Sequence, residues 1–307
     1  MARETAGEFE YDVDRALVTG ATGNVGSWVC DRLADAGVDV VGVDRERPPE
    51  TRSNLSFREL DLCDQGETWE TVHETDPDAV VHCAAVSNPM DNPGTRVFEN
   101  NTESTYNALV AAGRAGAEVV WTSSQATYGA LFAEGEWVPD YLPIDEDHPF
   151  RPEDPYGVSK VCSEEVAKMV ARRYDVPVTT VRATTIHTPD ERRTRPPKED
   201  VSLDSDDVQG SFGSYVDVRD VARMVEAALA ADREGHAAFV CAADENYLGP
   251  PTREIIEAVC GTLPERCDLA GQQAALSNAK AARELDWRPR YSSVVDDGSD
   301  ADTPDWR

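Results

Sequence analysis

The sequence predicts an α/β fold, a doubly wound parallel sheet with a small lobe at the C-terminal end of the chain. Two observations indicate this fold. Short apolar runs alternate with helical segments, which is typical of parallel strands joined by crossover helices. A glycine-rich turn follows the first of these runs and opens the first helix, as in the first unit of such a sheet.

The strands are expected in short runs of β-branched and other apolar residues. Along the chain these runs are RALVTG, VDVVGVD, SFRELD, DAVVHCAA, AEVVWTSS, VPVTTVRA and HAAFVCAA. The helices are expected where apolar residues recur at helical spacing. These segments are NVGSWVCDRLADAG, the later part of NPGTRVFENNTESTYNALVAAGRAG, residues 153–174, DVRDVARMVEAALAAD, TREIIEAVCG and SNAKAARELDW.

The same pattern divides the chain into four parts. We expect a polar tail over residues 1–13, the sheet domain over 14–185, the smaller lobe over 186–295 and an acidic disordered tail over 296–307. Segments of the lobe, about residues 211–241, are expected to return to the sheet. The stretch after Pro189 is polar and is predicted to be a loop.

The chain is strongly acidic. Its 307 residues include 59 Asp and Glu against 29 Lys and Arg, a formal net charge of −30. Long-range repulsion of this size disfavours nucleic acid and anionic membranes as partners. Its lysines are Lys160, Lys168, Lys198 and Lys280, and the acidity is spread along the chain. This pattern favours a protein kept soluble in concentrated salt over a merely acidic mesophilic enzyme.

The seven cysteines are scattered and odd in number, which disfavours a disulfide framework, and no metal site is expected. No apolar run has the length of a membrane span, and the acidic N-terminal segment is unlike a signal peptide. The sequence therefore predicts a cytoplasmic protein.

The turn VTGATGNVGS carries the glycine pattern of a phosphate-binding loop. Glycine allows a tight turn and lets backbone N–H groups approach a pyrophosphate at a helix N-terminus. The residues expected to hold a dinucleotide at this turn are Gly20, Gly23, Asn24, Val25 and Gly26.

Asp44 ends the second strand, where an acidic side chain hydrogen-bonds the ribose hydroxyls of the adenosine and favours NAD. Arg45 and Arg47 follow at once, and a guanidinium suits the 2′-phosphate of NADP. The sequence leaves both cofactors open.

Tyr156 and Lys160 stand four residues apart in the stretch DPYGVSK on a predicted helix, so their side chains share one face. A nearby ammonium favours the phenolate and is expected to lower the pKa of the tyrosine, which makes it a usable base. Ser124 ends the fifth strand, at the sheet edge where ligands bind, and its hydroxyl is expected to hydrogen-bond a substrate oxygen.

Together these motifs resemble the extended short-chain dehydrogenases/reductases, the superfamily of the NAD-dependent epimerases and dehydratases. The resemblance runs from about residue 15 to 225 and includes TGATGNVG, DLCD, HCAA, WTSSQATYG, YGVSK, Arg182 and YVDVRDVA. It implies a Rossmann fold with Ser124, Tyr156 and Lys160 as the catalytic group. It also implies that further residues contact the cofactor, namely Asp61, Leu62, Cys83, Ala84, Ala85, Asn101 and Thr184.

Two departures from the family pattern bear on the substrate. Family members that act on nucleotide sugars usually carry Arg-x-x-Asn and a glycine–proline turn, whereas this chain reads RATTIHTP, with Thr185 in place of the asparagine. The region KEDVSLDSDDVQGS is short and acidic and lacks their hydrophobic nucleotide loop. The chain is more similar to the sugar 1-dehydrogenases of the superfamily, of the uronate dehydrogenase type. With its acidic composition it resembles a haloarchaeal L-arabinose 1-dehydrogenase.

This resemblance implies NAD(P)-dependent oxidation of a free aldose at C1 to the lactone, with Tyr156 as the base. By family position the sugar pocket is expected to contain Ser87, Ser124, Gln125, Tyr156, Thr185 and Arg193. Family members commonly form homodimers or homotetramers through two helices, here the one after Glu153 and the one around residues 102–114. Two alternatives stay open, a UDP-sugar 4-epimerase with tightly bound NAD and a non-catalytic NAD(P)-sensing protein.

Overall fold

The computed structural model describes residues 8–48, 52–133, 137–189, 208, 210–291, 304 and 306. Its strands are β1 (Arg15–Thr19), β2 (Asp39–Asp44), β3 (Leu55–Glu59), β4 (Ala79–His82), β5 (Glu118–Ser124), β6 (Tyr141–Leu142), β7 (Val178–Ala183), β8 (Thr185–His187), β9 (Tyr215–Asp217), β10 (His236–Cys241) and β11 (Arg266–Cys267). Its helices are α1 (Asn24–Asp35), α2 (Gln65–Thr75), α3 (Gly94–Ala115), α4 (Pro155–Tyr174), α5 (Val218–Ala230), α6 (Thr252–Cys260) and α7 (Ala279–Glu284). A 3₁₀ turn over Gln125–Tyr128 follows β5.

Seven strands form one parallel sheet in the order β10-β7-β5-β4-β1-β2-β3. Successive residues of each strand point to opposite faces, so both faces are apolar and both need a helical cover. One face packs against α1 and α5, and the other packs against α2, α3 and α4. The predicted α/β fold with a doubly wound parallel sheet is confirmed.

The smaller lobe has its own apolar core, formed by residues that include Leu142, Phe212, Leu248 and Ile255. Two short parallel strand pairs, β6 with β11 and β8 with β9, connect this lobe to the segments that follow β5 and β7. The lobe therefore lies at the carboxyl edge of the sheet, where the loops that carry ligand-binding residues also end.

Two features of the helices differ from the sequence prediction. Helix α2 was missed, although Asp64 is a plain N-cap whose carboxylate accepts a hydrogen bond from the N–H of Glu67 at 2.9 Å. Helix α3 begins at Gly94, well before the later part of its segment. Both helices are rich in polar residues, so their apolar periodicity is a weak signal.

Described residues of both predicted tails lie on the core. Phe9, Tyr11 and Val13 pack against the face covered by α1 and α5, although the sequence predicts a polar tail there. Trp306 is 2% exposed, and its ring centroid lies 5.0 Å from that of Phe57. Residues 190–207, which include most of the predicted polar loop, lie outside the described residues.

The edge strand β10 has two outward-facing backbone groups that are bound by charged side chains. The carboxylate of Glu146 accepts a hydrogen bond from the N–H of Val240 at 2.8 Å. The ammonium of Lys280 donates to the carbonyl of Ala238 at 2.9 Å. Within the described ranges, no helix combines the length and the apolarity that crossing a bilayer requires.

Candidate active site

A cavity of about 640 Å³ opens at the carboxyl ends of β1, β2, β4, β5 and β7. Because β1 lies between β2 and β4, the chain changes direction across the sheet at this point. Parallel α/β sheets bind their ligands at such a switch point, where neighbouring loops diverge and leave a crevice. Both the glycine-rich turn and the Ser124, Tyr156 and Lys160 side chains line this cavity.

The glycine-rich turn is too close-packed for side chains. Gly20 has φ +66°, and a Cβ placed there would lie 2.7 Å from the amide nitrogen of Ala84. A Cβ at Gly26 would lie 2.1 Å from the carbonyl oxygen of Gly20. Helix α1 begins directly after the turn with Gly23 as its N-cap, and no side chain caps it. The turn therefore presents backbone and the positive end of a helix to the cavity, as a dinucleotide pyrophosphate requires.

Asp44 lies at the end of β2 on the cavity wall. Its carboxylate accepts hydrogen bonds from the N–H and the hydroxyl of Thr22 at 3.0 and 2.8 Å, and from the N–H of Arg45 at 2.8 Å. These contacts fix the carboxylate beside the glycine-rich turn. Arg45 also lines the cavity, whereas Arg47 is exposed and does not.

A buried hydrogen-bond chain supports the turn from behind. The amide of Ala84 donates to Thr19 Oγ1 at 3.4 Å, and the same hydroxyl is hydrogen-bonded to His82 Nδ1 at 2.8 Å. On the other side of the ring, His82 Nε2 is hydrogen-bonded to Thr105 Oγ1 at 3.0 Å, so both ring nitrogens have a partner. Burial, with a smaller effect of Lys160, lowers the pKa of His82 to about 3, which keeps the ring neutral.

Ser124, Tyr156 and Lys160 meet where β5 ends and α4 begins. Asp154 caps α4 by accepting a hydrogen bond from the N–H of Gly157 at 2.8 Å, which places Tyr156 in the first turn. Lys160 follows one turn later, and its Nζ atom donates to the carbonyl of Thr122 at 2.8 Å. Nζ also lies 5.6 Å from the centroid of the Tyr156 ring.

The pKa of Tyr156 differs from the sequence expectation. Burial raises it to about 12, a hydrogen bond with Ser124 lowers it, and the charge of Asp154 raises it. The expected net lowering of this pKa is therefore wrong, because desolvation of a phenolate inside the protein is the largest effect on it. Burial likewise lowers the pKa of Lys160 to about 8, against smaller raising effects of Cys83 and Glu164.

A buried ion pair between Glu164 and Arg182 connects the elements that carry Ser124, Tyr156 and Lys160. Glu164 lies one turn beyond Lys160 on α4 and binds the guanidinium of Arg182 through both oxygens, at 2.9 and 2.7 Å. The hydroxyl of Ser123 donates to the same carboxylate at 2.9 Å. Arg182 also donates to the Tyr128 hydroxyl at 3.1 Å, so one cation joins α4 to the turn after β5.

Polar residues of the predicted sugar pocket line the same cavity. They are Ser87, Ser124, Gln125, Tyr156 and Thr185, whereas Arg193 lies outside the described residues. The Nε2 atom of Gln125 donates to Thr185 Oγ1 at 3.2 Å. Phe132 meets the Tyr156 ring edge to face, with the centroids 6.2 Å apart, and so shields that ring.

All but one of the residues predicted to contact the cofactor line the cavity. The exception is Asn101, whose amide binds both backbone groups of Val86 at 2.8 and 3.0 Å and so braces the wall from outside. The sequence prediction missed Thr22, Asn100 and Ser104, which do line the cavity. Asn100 and Ser104 are four residues apart on α3, a spacing that would have placed them on one face.

The arrangement is suited to moving a proton to or from a substrate hydroxyl. It offers a phenol that binds a proton, a serine hydroxyl that orients the same oxygen and a buried ammonium close by. Within the described parts of the chain, no three His, Cys, Asp or Glu side chains come together as a metal-binding cluster.

The sequence of this chain is similar to those of known proteins from one family. The model of the NAD dependent epimerase/dehydratase family matches residues 16–203. The UDP-glucose 4-epimerase of Streptococcus mutans is 34% identical over 170 residues, which are 52% of this chain and 48% of that protein. The chain covers about half the length of several such curated relatives.

Two solved structures have the same fold. The glucuronic acid dehydrogenase of Chromohalobacter salexigens has a TM-score of 0.66 and 22% identity, covering 92% of this chain and 86% of that one. The UDP-glucose 4-epimerase of Brucella ovis in complex with NAD has a TM-score of 0.67 and 24% identity, covering 91% of this chain and 94% of that one.

Proposed function

Because the chain belongs to the NAD dependent epimerase/dehydratase family, we propose that it is an NAD(P)-dependent sugar 1-dehydrogenase that oxidises a free aldose at C1 to the lactone. One observation carries the proposal, the buried group of Ser124, Tyr156 and Lys160 on the wall of the cavity that the glycine-rich turn also lines. Oxidation of an alcohol carbon needs a proton acceptor at its oxygen, and this group provides one.

The cavity fits a nicotinamide dinucleotide. Gly20 and Gly26 keep the turn free of side chains, and the N-terminus of α1 suits a pyrophosphate. The carboxylate of Asp44 suits ribose hydroxyls and repels a 2′-phosphate, which favours NAD over NADP. Bound NAD supplies the acceptor for the hydride that leaves the sugar carbon.

Tyr156, Ser124 and Lys160 each have a separate role in the transfer of the proton. Tyr156, as the phenolate, takes the proton of the anomeric hydroxyl. Ser124 binds the same oxygen, and its hydrogen bond to Tyr156 lowers the pKa of the phenol. Lys160 is held by the carbonyl of Thr122 and places a positive charge near the ring, which stabilises the phenolate while the proton is transferred.

The residue at position 185 and its contact with Gln125 support a free sugar, not a nucleotide sugar, as the substrate. The asparagine that nucleotide-sugar enzymes of the family usually carry is replaced by this threonine, whose hydroxyl is bound to Gln125 in the cavity. The likeness in fold to a glucuronic acid dehydrogenase adds support for oxidation of an unconjugated sugar.

The first test is turnover of free aldoses by purified protein in molar KCl, followed as nicotinamide reduction with NAD and NADP separately. We expect turnover of a pentose or hexose such as L-arabinose or D-galactose and its loss in Tyr156→Phe, with NAD binding retained. Tyr106→Phe, which changes an exposed tyrosine on α3, is the matched control. Full activity of Tyr156→Phe would remove Tyr156 as the base.

A UDP-sugar 4-epimerase is the second candidate, because a curated UDP-glucose 4-epimerase matches 52% of the chain at 34% identity. Such an enzyme interconverts UDP-glucose and UDP-galactose without added NAD and without net nicotinamide reduction. Interconversion of these sugars, together with no turnover of free aldoses, would select this candidate over the dehydrogenase.

We also propose that two copies of the chain associate through α3 and α4. The large apolar side chains that are exposed among the described residues are Met90 before α3, Phe98 and Tyr106 on α3, and Val158 on α4. Helices α3 and α4 pack against each other, and exposed apolar side chains on a helix pair favour contact with another protein surface. Light scattering should give a dimer or tetramer, and Tyr106→Asp should give a monomer. A monomeric parent protein would contradict the proposal.

A further inference from the structure

The ring of Trp121 lies against the ammonium of Lys160. Trp121 stands on β5, the strand that ends with Ser124, and its side chain is fully buried. The Nζ atom of Lys160 lies over this ring, 5.4 Å from the centroid. An ammonium within about 6 Å of an aromatic face is attracted by the negative charge of that face, most strongly when the ring is an indole and water is excluded. The pair has this geometry.

A hydrogen bond across the sheet fixes the orientation of the ring. The indole Nε1 donates to Thr180 Oγ1 at 2.7 Å, and the two residues are register partners on the neighbouring strands β5 and β7. The same hydroxyl is hydrogen-bonded to His236 Nε2 at 2.8 Å. An indole nitrogen is a donor only, so the edge of the ring that carries it is bound to Thr180 and the face of Trp121 is left for the ammonium.

The titratable groups around Lys160 leave its charge incompletely balanced. They are the side chains of His82, Cys83, Tyr156 and Glu164. Burial keeps the His82 ring neutral and raises the pKa of the Cys83 thiol to about 12, so neither carries a charge near neutral pH. The carboxylate of Glu164 binds Arg182 through both oxygens. The ammonium itself donates to a backbone carbonyl. An aromatic face is therefore a substantial part of what stabilises this cation.

We propose that Trp121 is a positioning residue whose ring face keeps the ammonium of Lys160 charged and in place beside the Tyr156 ring. This inference rests on the proposed proton transfer to Tyr156. In that transfer a phenolate forms close to the ammonium, and a lysine that has lost its proton no longer stabilises it. Trp121 thus extends to higher pH the range over which the site retains its cation.

The test measures the titration of Lys160 directly, in molar KCl and without substrate. The chain has four lysines, so protein labelled with ¹³C at the lysine Cε atoms gives few signals, and the one missing in Lys160→Met is that of Lys160. Trp121→Phe and Trp121→Met introduce side chains of similar volume, of which only phenylalanine has a ring face. We expect the pKa of Lys160 to be about 8 in the wild-type protein. It should be lower in Trp121→Phe and lowest in Trp121→Met, with about half a unit or more between the two variants.

Two controls separate the ring face from general damage to the core. Trp287→Met makes the same change at a buried tryptophan whose indole donates to the carbonyl of Asp220, and it should leave the titration of Lys160 unchanged. If Trp121→Met does not fold, the wild-type chain made with 5-fluorotryptophan keeps the shape of the ring but withdraws electrons from its face. The pKa of Lys160 should then fall by a smaller amount, and an unchanged value would overturn the inference.

The rate profile tests the consequence for the reaction. With the wild-type protein, log kcat/KM for aldose oxidation should level off above about pH 8, where Lys160 loses its proton, and with Trp121→Met it should level off at lower pH. Equal pKa values of Lys160 in Trp121→Phe and Trp121→Met overturn the inference, whatever the substrate is. If these values differ as expected but no free aldose is turned over by the wild-type protein, the proposed function is wrong and the role of Trp121 toward the ammonium stands.

Discussion

The carboxylate of Glu164 and the guanidinium of Arg182 form a two-point ion pair that is almost sealed from solvent, with relative side-chain exposures of 0% and 5%. This pair joins the helix that carries Tyr156 and Lys160 to the strand next to β5. A charged side chain buried in this way is tolerated only while its partner is present, because the unpaired charge lacks both water and a counter-ion.

Removal of one partner of this pair should therefore be worse than removal of both. We expect Arg182→Met to destabilise the fold by about 3–5 kcal/mol, and the double variant Glu164→Leu with Arg182→Met to recover part of that loss. Urea unfolding in molar KCl measures both. The control is Arg151→Met, which breaks the exposed pair with Asp140 and should cost about 1 kcal/mol or less. Additive losses at Glu164 and Arg182 would contradict the prediction.

The proton acceptor should impose a steep dependence of rate on pH. Since the pKa of Tyr156 is raised to about 12, the phenolate is a minor form near neutrality and its fraction grows with pH. We expect log kcat/KM for aldose oxidation to rise by about one unit per pH unit between about pH 6 and 8. In Ser124→Ala the hydrogen bond that lowers this pKa is lost, so kcat/KM should fall at every pH in this range while the slope stays near one. A wild-type profile that levels off between pH 6 and 8 would mean that another group is titrating.

Cofactor preference should depend on Asp44. Its carboxylate is held at the end of β2 by Thr22 and by the N–H of Arg45. Asp44→Ser replaces the carboxylate proposed to bind the ribose hydroxyls with a shorter neutral hydroxyl and removes the charge that would repel a 2′-phosphate, while the guanidinium of Arg45 remains. We expect KM for NAD to rise by about tenfold or more and the preference to move toward NADP. Glu46→Ser, which changes an exposed neighbouring residue, is the control. If Asp44→Ser leaves the ratio of kcat/KM for NADP to that for NAD unchanged, Asp44 is not the determinant of cofactor preference.

A carboxyl far from the site should make stability depend on pH. Burial raises the pKa of Glu118, at the start of β5, to about 7, above its ordinary value of 4.5. The charged form is disfavoured in the folded state, so stability falls as pH rises from about 4.5 through about 7.

Glu118→Gln should therefore increase the free energy of unfolding at pH 8 by about 1–2 kcal/mol, a value reduced for partial exposure. The gain should vanish near pH 4, where the carboxyl is neutral in both states. Denaturant unfolding at the two pH values measures the difference. Glu234→Gln, which changes an exposed residue, is the control, and an equal gain for Glu118→Gln at both pH values would refute this cause.

The sequence predicted the sheet well, and most residues that it singled out for the site line one cavity, because both depend on local patterns. The glycine-rich turn, Asp44, Ser124 and the Tyr156–Lys160 pair all stand at ends of elements that apolar periodicity reveals. Polar helices such as α2 were harder to predict. Their capping residues mark them in the sequence, whereas their apolar residues show little periodicity.

Other features depend on distances across the fold. The raised pKa of Tyr156 follows from burial. The spacing of Tyr156 and Lys160 in the sequence had suggested a lowered pKa. Asn101 and Asn100 are adjacent in sequence, yet one braces Val86 and the other lines the cavity, a difference that only the orientation of α3 decides. The contact between Gln125 and Thr185 joins residues 60 positions apart, so no local pattern indicates it.

The side chains of Glu146 and Lys280 affect whether the edge strand β10 can pair with a strand of another protein molecule. An open edge strand is a template on which a strand of another chain can add, and long rows of such additions lead to fibres. Here the amide of Val240 and the carbonyl of Ala238 are already bound within the chain by two ions of opposite charge. These two groups are therefore not available to a strand of another chain, which makes β10 a poorer template for edge-to-edge association.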